Sequence, residues 1–118
     1  MACSPNARPP SLGRQVKRGE VWWAKLDKKR PVVLLSRNEA YEIRSLVIVA
    51  PATTTIRGYA VEVKVGKREG LQRECVINCD WLVTLPKEDL VERVGILGSS
   101  KLRQLDDALR FALGLENG

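Results

Sequence analysis

The chain predicts a mainly β (α+β) fold: a small barrel of strongly bent antiparallel sheet with one C-terminal amphipathic helix. Three observations predict it. Short β-branched and aromatic runs recur along the body, each bounded by glycine, proline or a charged turn. Sustained helical spacing appears only near the C-terminus, where Leu102, Leu105, Ala108, Leu109, Ala112 and Leu113 form one stripe. A length of 118 residues with 44% hydrophobic content suffices for one globular domain with a modest core.

The elements follow in order. Residues 1–15 hold three prolines, two serines and two arginines, and read as a flexible N-terminal arm; residues 16–118 form the folded domain. Val21 to Leu26 is an aromatic strand, and Asp27-Lys28-Lys29 is a tight connection. Pro31 to Leu35 suits a strand buried on both faces, with Pro31 at its first position because proline cannot donate to a ladder. Arg37 to Arg44 is polar and reads as a helical turn. Ser45 to Val49 is a strand ending at Pro51, and Thr53 to Gly58 is a loop. Tyr59 to Val65 alternates, which predicts a strand with one wet face. A charged loop, Gly66 to Gln72, leads to strands at Cys75–Cys79 and Leu82–Leu85. Pro86 to Leu90 is a short helical turn with Pro86 at its first position, and Val94 to Leu97 is a last short strand. The helix is capped by Ser99 or Ser100, ends at Gly114, and makes about four turns.

Net charge is +6, with a pI of about 9.6, which favours an anionic partner but only weakly on its own. No apolar run approaches the roughly 18 residues of a membrane helix, and no signal-peptide core is present. A cytoplasmic protein with no membrane contact is expected. Cys3, Cys75 and Cys79 are an odd count that argues against a disulfide framework. Cys75 and Cys79 share a strand face and read as small core hydrophobes. With no histidine, a zinc site would lack soft ligands, so no metal or other cofactor is expected. Acid–base chemistry must also use other groups.

Two segments concentrate the candidate chemistry: Lys29-Arg30-Pro31-Val32-Val33-Leu34-Leu35-Ser36, and Ala50-Pro51-Ala52-Thr53-Thr54-Thr55-Ile56-Arg57-Gly58-Tyr59. Arg30 precedes a buried strand and presents five donors, either to a phosphate or as a plain strand-end arginine. Thr53, Thr54 and Thr55 carry hydroxyls able to donate to phosphate and sugar oxygens, or simply build a turn. Arg57 and Lys29 could complete a basic rim with Arg30. Asp80, beside Cys79 and Trp81, is either a partly desolvated acid or a turn-holding partner of an arginine. Adjacent Trp22 and Trp23 must face opposite sides of a sheet.

In order and spacing, Arg18-Gly19-Glu20-Val21-Trp22, Arg30-Pro31-Val32-Val33-Leu34, Ala50-Pro51-Ala52-Thr53-Thr54, Gly58-Tyr59-Ala60-Val61-Glu62-Val63 and the leucine-rich helix resemble the MazF/PemK family of toxins. The likeness runs from about Arg18 to Leu115. It implies an SH3-like barrel, a homodimer, an antitoxin partner, and endonucleolytic cleavage of single-stranded RNA, whether messenger, ribosomal or transfer. It also implies that Arg30 and Thr53 are active-site groups, with Asp80 a weaker third. Asn78 stands where one branch has an arginine, and the first loop is shorter than in many members. RNA carries its own nucleophile, the 2′-hydroxyl, so cleavage needs a proton acceptor, a cation at phosphorus and a proton for the leaving oxygen. Arg30 fits the cation, Thr53 positions the linkage, and Asp80 is a base or a nucleobase contact. Lys29, Thr54, Thr55, Arg57, Tyr59, Asn78 and Trp81 are the candidate RNA contacts, Tyr59 and an exposed tryptophan as stacking platforms. The competing readings are a non-catalytic RNA-binding barrel and a gyrase-poisoning toxin of the CcdB type, which resembles the same fold.

Overall fold

The computed structural model describes residues 16–38 and 45–115. The expected N-terminal arm and most of the expected turn at Arg37–Arg44 lie outside the described residues. Among the described residues seven strands run in order: β1 (Glu20–Lys25), β2 (Lys29–Leu34), β3 (Leu46–Thr53), β4 (Glu62–Val65), β5 (Cys75–Asn78), β6 (Val83–Pro86) and β7 (Leu90–Ile96). An α-helix, α1 (Ser99–Leu113), follows them. The strand order is β4-β5-β3-β2-β1-β7, with β6 also on β3, and every pairing is antiparallel. This is the bent antiparallel half-barrel with a terminal helix that the sequence predicts.

Strand β3 makes the bend. Its N-terminal part pairs with β6 (Leu46↔Pro86 to Val49↔Val83) and with β2 (Leu34↔Val49 to Val32↔Pro51). Its last two residues lie past the end of the β2 ladder and pair with β5, Ala52↔Ile77 and Thr53↔Val76. Strand β3 therefore runs on through Pro51 to Thr53 rather than ending at Pro51. Pro51 sits at the changeover, where a missing donor is tolerated. Pro31 is likewise third in β2 rather than first; it lies past the end of the β2–β3 ladder, on an edge.

Other boundaries differ for physical reasons. Strand β4 starts at Glu62, not Tyr59, because the Glu62 carboxylate accepts the N–H groups of Arg57, Gly58 and Tyr59 and folds those residues back as a loop. Cys79 leaves β5 and enters a turn, its N–H donating to the Val61 carbonyl at 2.9 Å. Strand β7 is longer than expected because it pairs along β1 from Glu20↔Ile96 to Ala24↔Leu90. Gly98, not Ser99 or Ser100, is the N-cap of α1: its carbonyl accepts the Leu102 N–H at 2.9 Å, so both serines are already helical. Pro86 is likewise the cap of the Lys87–Asp89 turn, not its first residue. Gly114 closes α1 in the left-handed region (φ +70°), as glycine does readily.

The sheet buries both faces. Val21, Val33, Ala50, Ala52, Val63 and Ile77 pack with Leu105 and Ala108 of α1 on one side. Trp22, Ala24, Val32, Leu34, Val49, Leu85 and Leu90 pack on the other. Trp22 is thus the core member of its pair, with its indole N–H on the buried Glu20 carboxylate, while Trp23 is half-buried. Glu20 also accepts from the Arg93 guanidinium at 3.1 Å and the Lys17 N–H at 3.1 Å, so its charge is well paired.

A backbone clasp ties the turn after β4 to β7. The Lys67–Glu69 3₁₀ turn, ended by Gly70 at φ +93°, lies directly on β7. A Cβ at Gly95 would strike the Glu69 carbonyl, and one at Gly70 would strike the Val94 carbonyl. Gly95→Ala should therefore lower unfolding stability by about 1–3 kcal/mol, and Gly70→Ala by more because its backbone is left-handed. Urea midpoints unchanged from the parent would show that this turn does not dock on β7.

Candidate active site

The bend in β3 brings three chain segments to one corner. Val32↔Pro51 is the last β2–β3 pair, and Arg30 and Thr53 each lie two residues beyond it. Continued at the same register, the ladder sets Arg30 opposite Thr53. Strand alternation puts them on the face shared by Val32 and Pro51, at the end of the Trp22–Leu34 cluster. Thr53 pairs in turn with Val76 of β5, and Val76 with Lys64 of β4. Their neighbours Ala52, Ile77 and Val63 point into the opposite cluster, so Thr53, Val76 and Lys64 form a row on the other face.

Arg30 is not free at its tip. Its Nε donates to Asp27 Oδ1 at 2.9 Å and its Nη2 to Asp27 Oδ2 at 3.2 Å. The guanidinium also lies 5.0 Å from the centroid of the Trp81 ring. Its side chain is 20% exposed. Asp27 takes the side edge of the guanidinium, leaving three of its five N–H groups, those on the Nη1/Nη2 end, for another acceptor. That end edge has the fork spacing that grips two oxygens of one phosphate. The Arg30 hydrogen bond, first of all, holds the Asp27 carboxyl down at about 2, and the same bond raises Arg30 above its ordinary value.

Short turns hold the other groups. Thr53 is half-buried, and its Oγ accepts the Thr55 N–H at 3.2 Å, which leaves the hydroxyl proton free to donate outward. Thr54, Thr55, Arg57 and Tyr59 line the exposed loop that Glu62 anchors. Tyr59 is 60% exposed and Trp81 37%, so both have open ring surface. The Asn78 side chain accepts the Asp80 N–H at 2.9 Å, and its carbonyl accepts the Trp81 N–H at 3.2 Å. This compact turn sets Trp81 under Arg30. Asp80 is exposed, which disfavours the partly desolvated alternative for it. Lys29 is not part of the rim: its ammonium lies 5.5 Å over Trp23, on the face of β2 away from Arg30.

Two contributors escape sequence reasoning. Asp27 reads there as mere connection; the Lys25↔Lys29 pairing makes it a hairpin tip three residues from Arg30, and that pairing is the only signal of it. Glu62 reads as a wet strand position, yet it organises the loop. Cys79 is inert core: burial, then the Asp80 charge, pushes its thiol up to about 11. Among the described residues no group of three or more His, Cys, Asp or Glu side chains is placed to hold a metal ion.

Residues 17–113 match the family described as the PemK-like, MazF-like toxin of type II toxin–antitoxin systems. The chain belongs to this family. Among MazF relatives, endoribonuclease MazF3 of Mycobacterium tuberculosis is 41% identical over 93 residues, covering 79% of this chain and 90% of the relative. The probable endoribonuclease MazF5 of the same species is 38% identical over 99 residues, covering 81% and 91%. The solved structure of M. tuberculosis toxin MazF-mt6 superposes with a TM-score of 0.79 at 39% identity, covering 82% of this chain and 98% of that one. A mycobacterial endoribonuclease solved with its cognate antitoxin also gives 0.79, at 27% identity, covering 87% and 99%.

The Asp27–Arg30 contact makes a direct prediction. Because the Asp27 value is depressed from 3.8 to about 2, the contact is complete above pH 3.8 and is lost as pH falls through about 2. A carboxyl-carbon NMR titration should place the Asp27 midpoint near 2, and Arg30→Ala should return it toward 3.8. A parent midpoint already at 3.8 would show that the pair does not form in solution.

Proposed function

We propose that this MazF-family toxin is an endoribonuclease that cuts single-stranded RNA at the Arg30–Thr53 corner, without a metal ion. The observation that carries this reading is the Arg30 guanidinium, clamped on one edge by Asp27 and stacked on Trp81, with its other edge open. The names of the mycobacterial relatives support the same activity.

The substrate's 2′-oxygen attacks the adjacent phosphorus. Its proton passes to the exposed Asp80 carboxylate or to water. The bond from phosphorus to the 5′ oxygen breaks, and that oxygen takes a proton from water. The products are a 2′,3′-cyclic phosphate and a 5′-hydroxyl end. The end edge of Arg30 donates to the two non-bridging oxygens, on which charge grows in the transition state. Thr53 donates its hydroxyl to the phosphate or the ribose. The bases are splayed over the exposed loop and stack on Tyr59 and Trp81, with Thr54, Thr55, Arg57 and Asn78 at their edges. Inhibition of translation and growth follows from loss of intact RNA.

The antitoxin is a protein whose acidic segment competes for the same corner; a relative solved with its cognate antitoxin supports such a partner. The working unit is a homodimer in the cytoplasm. Exposed Leu46, Ile48, Phe111 and Leu113 supply apolar surface that a two-fold contact would cover.

Incubating the protein with a long RNA in EDTA should yield fragments with 5′-hydroxyl ends. Arg30→Ala should keep the parent circular dichroism and lose on the order of 100-fold or more in rate. Binding without fragments would favour a non-catalytic RNA module, and intact RNA with impaired supercoiling would favour a gyrase poison.

A further inference from the structure

A second cationic site lies beyond the corner. Lys64, Lys67, Arg68, Arg73 and Lys101 line one open groove of about 520 Å³ at the far end of the β4–β5 hairpin. Among the described residues none of these five side chains forms an ion pair, whereas Arg18, Arg30, Arg93 and Arg110 all do. Two carboxylates share the wall, Glu69 and Glu74. Glu69 is buried and turned inward, accepting the Gly66 N–H at 2.7 Å, so its charge is tied to the clasp. The groove is thus left with a surplus of unpaired positive charge. Lys101 brings the first turn of α1 to its wall, where no acidic residue and no side-chain cap offsets the positive helix end.

One residue of the groove lining, Lys64, stands on the face of the corner. Lys64, Val76 and Thr53 stand opposite one another across β4, β5 and β3. At the usual strand spacing Lys64 is about 10 Å from Thr53. The exposed ring of Tyr59 rides on the loop held by Glu62, which alternation places on the same face of β4 as Lys64. An unpaired basic track beside exposed aromatic rings is the arrangement that follows a single nucleic-acid strand.

We propose that this groove binds the sugar–phosphate backbone of the RNA flanking the cut bond, as a non-catalytic polyanion subsite. It rests on the ribonuclease reading only in taking the same strand to occupy both places. Phosphates from neighbouring nucleotides seat on Lys67, Arg68 and Lys101 while the scissile linkage sits at Arg30 and Thr53. Affinity then grows with RNA length on the groove side, and the added contacts carry a salt dependence of their own.

The test measures binding by fluorescence anisotropy across a salt series, in the Arg30→Ala background so that RNA stays whole. The probes are a labelled single-stranded RNA of about 20 nucleotides and one of about 6, spanning the range that a small β fold covers. Adding Lys67→Ala, Arg68→Ala and Lys101→Ala should weaken the long probe by about tenfold or more and lower its log–log salt slope by about 2, while the short probe moves less than twofold. The single charge reversal Arg68→Glu, with thermal unfolding unchanged, should shift the long probe in the same direction. A long-probe affinity and slope unchanged in both variants overturns the proposal, as does an equal loss for the short probe. Cleavage by the parent protein is read separately. Parent protein that fails to cut, with the groove effect intact, sinks the ribonuclease reading and not the groove.

Discussion

The geometry of the molecule depends on one strand belonging to two sheets. Strand β3 pairs with β6 as far as Val49, with β2 as far as Pro51 and then, from Ala52, with β5. The changeover ends the β2–β3 ladder early and exposes the start of β2 beside the end of β3. It also draws in the turn that follows β5, with Asn78, Asp80 and Trp81. The corner is rigid because both sides are braced by buried cores, one of them closed by Leu105 and Ala108 of α1.

On that corner the useful property of Arg30 is its fixity. A free arginine carries about 2 kcal/mol of rotamer entropy that would be lost on binding phosphate. Here Asp27 and Trp81 remove much of that freedom during folding. The ring contact contributes about 0.5–1 kcal/mol of its own at a partly exposed site. Asp27 also draws part of the guanidinium's charge, so the clamp trades field strength for direction. The remaining end edge matches a phosphate's two free oxygens, and in a chain with no histidine, oriented donation is the main resource on which the proposed cleavage can draw.

Much of this was legible in the sequence because it rests on local chemistry. The run Val32-Val33-Leu34 announces a strand buried on both faces, and the leucine stripe of the helix announces its packing side. Arg30 and Thr53 stand out because cationic and hydroxyl groups end apolar strands. What was hidden depends on pairing between distant segments. Nothing local shows that β3 changes partners at Ala52, or that Glu62 folds three preceding residues back onto itself. Asp27 looks like any acidic turn residue until the hairpin register sets it against Arg30. Lys29 looks like a neighbour of Arg30 in function, yet strand alternation sends it to Trp23 on the other face. The clasp of Gly70 and Gly95 is a contact between backbones, which side-chain patterning does not encode.

The central claim is that Arg30 and Thr53 act on one phosphodiester as a unit. A double-substitution cycle on single-turnover RNA cleavage tests it most directly. If Arg30→Lys and Thr53→Ala disable the same grip, the double variant will be slowed little beyond the worse single variant, a coupling of about 1 kcal/mol or more. Rate losses that simply multiply, within about 0.5 kcal/mol, would mean that the two side chains act on separate parts of the reaction and would contradict the account.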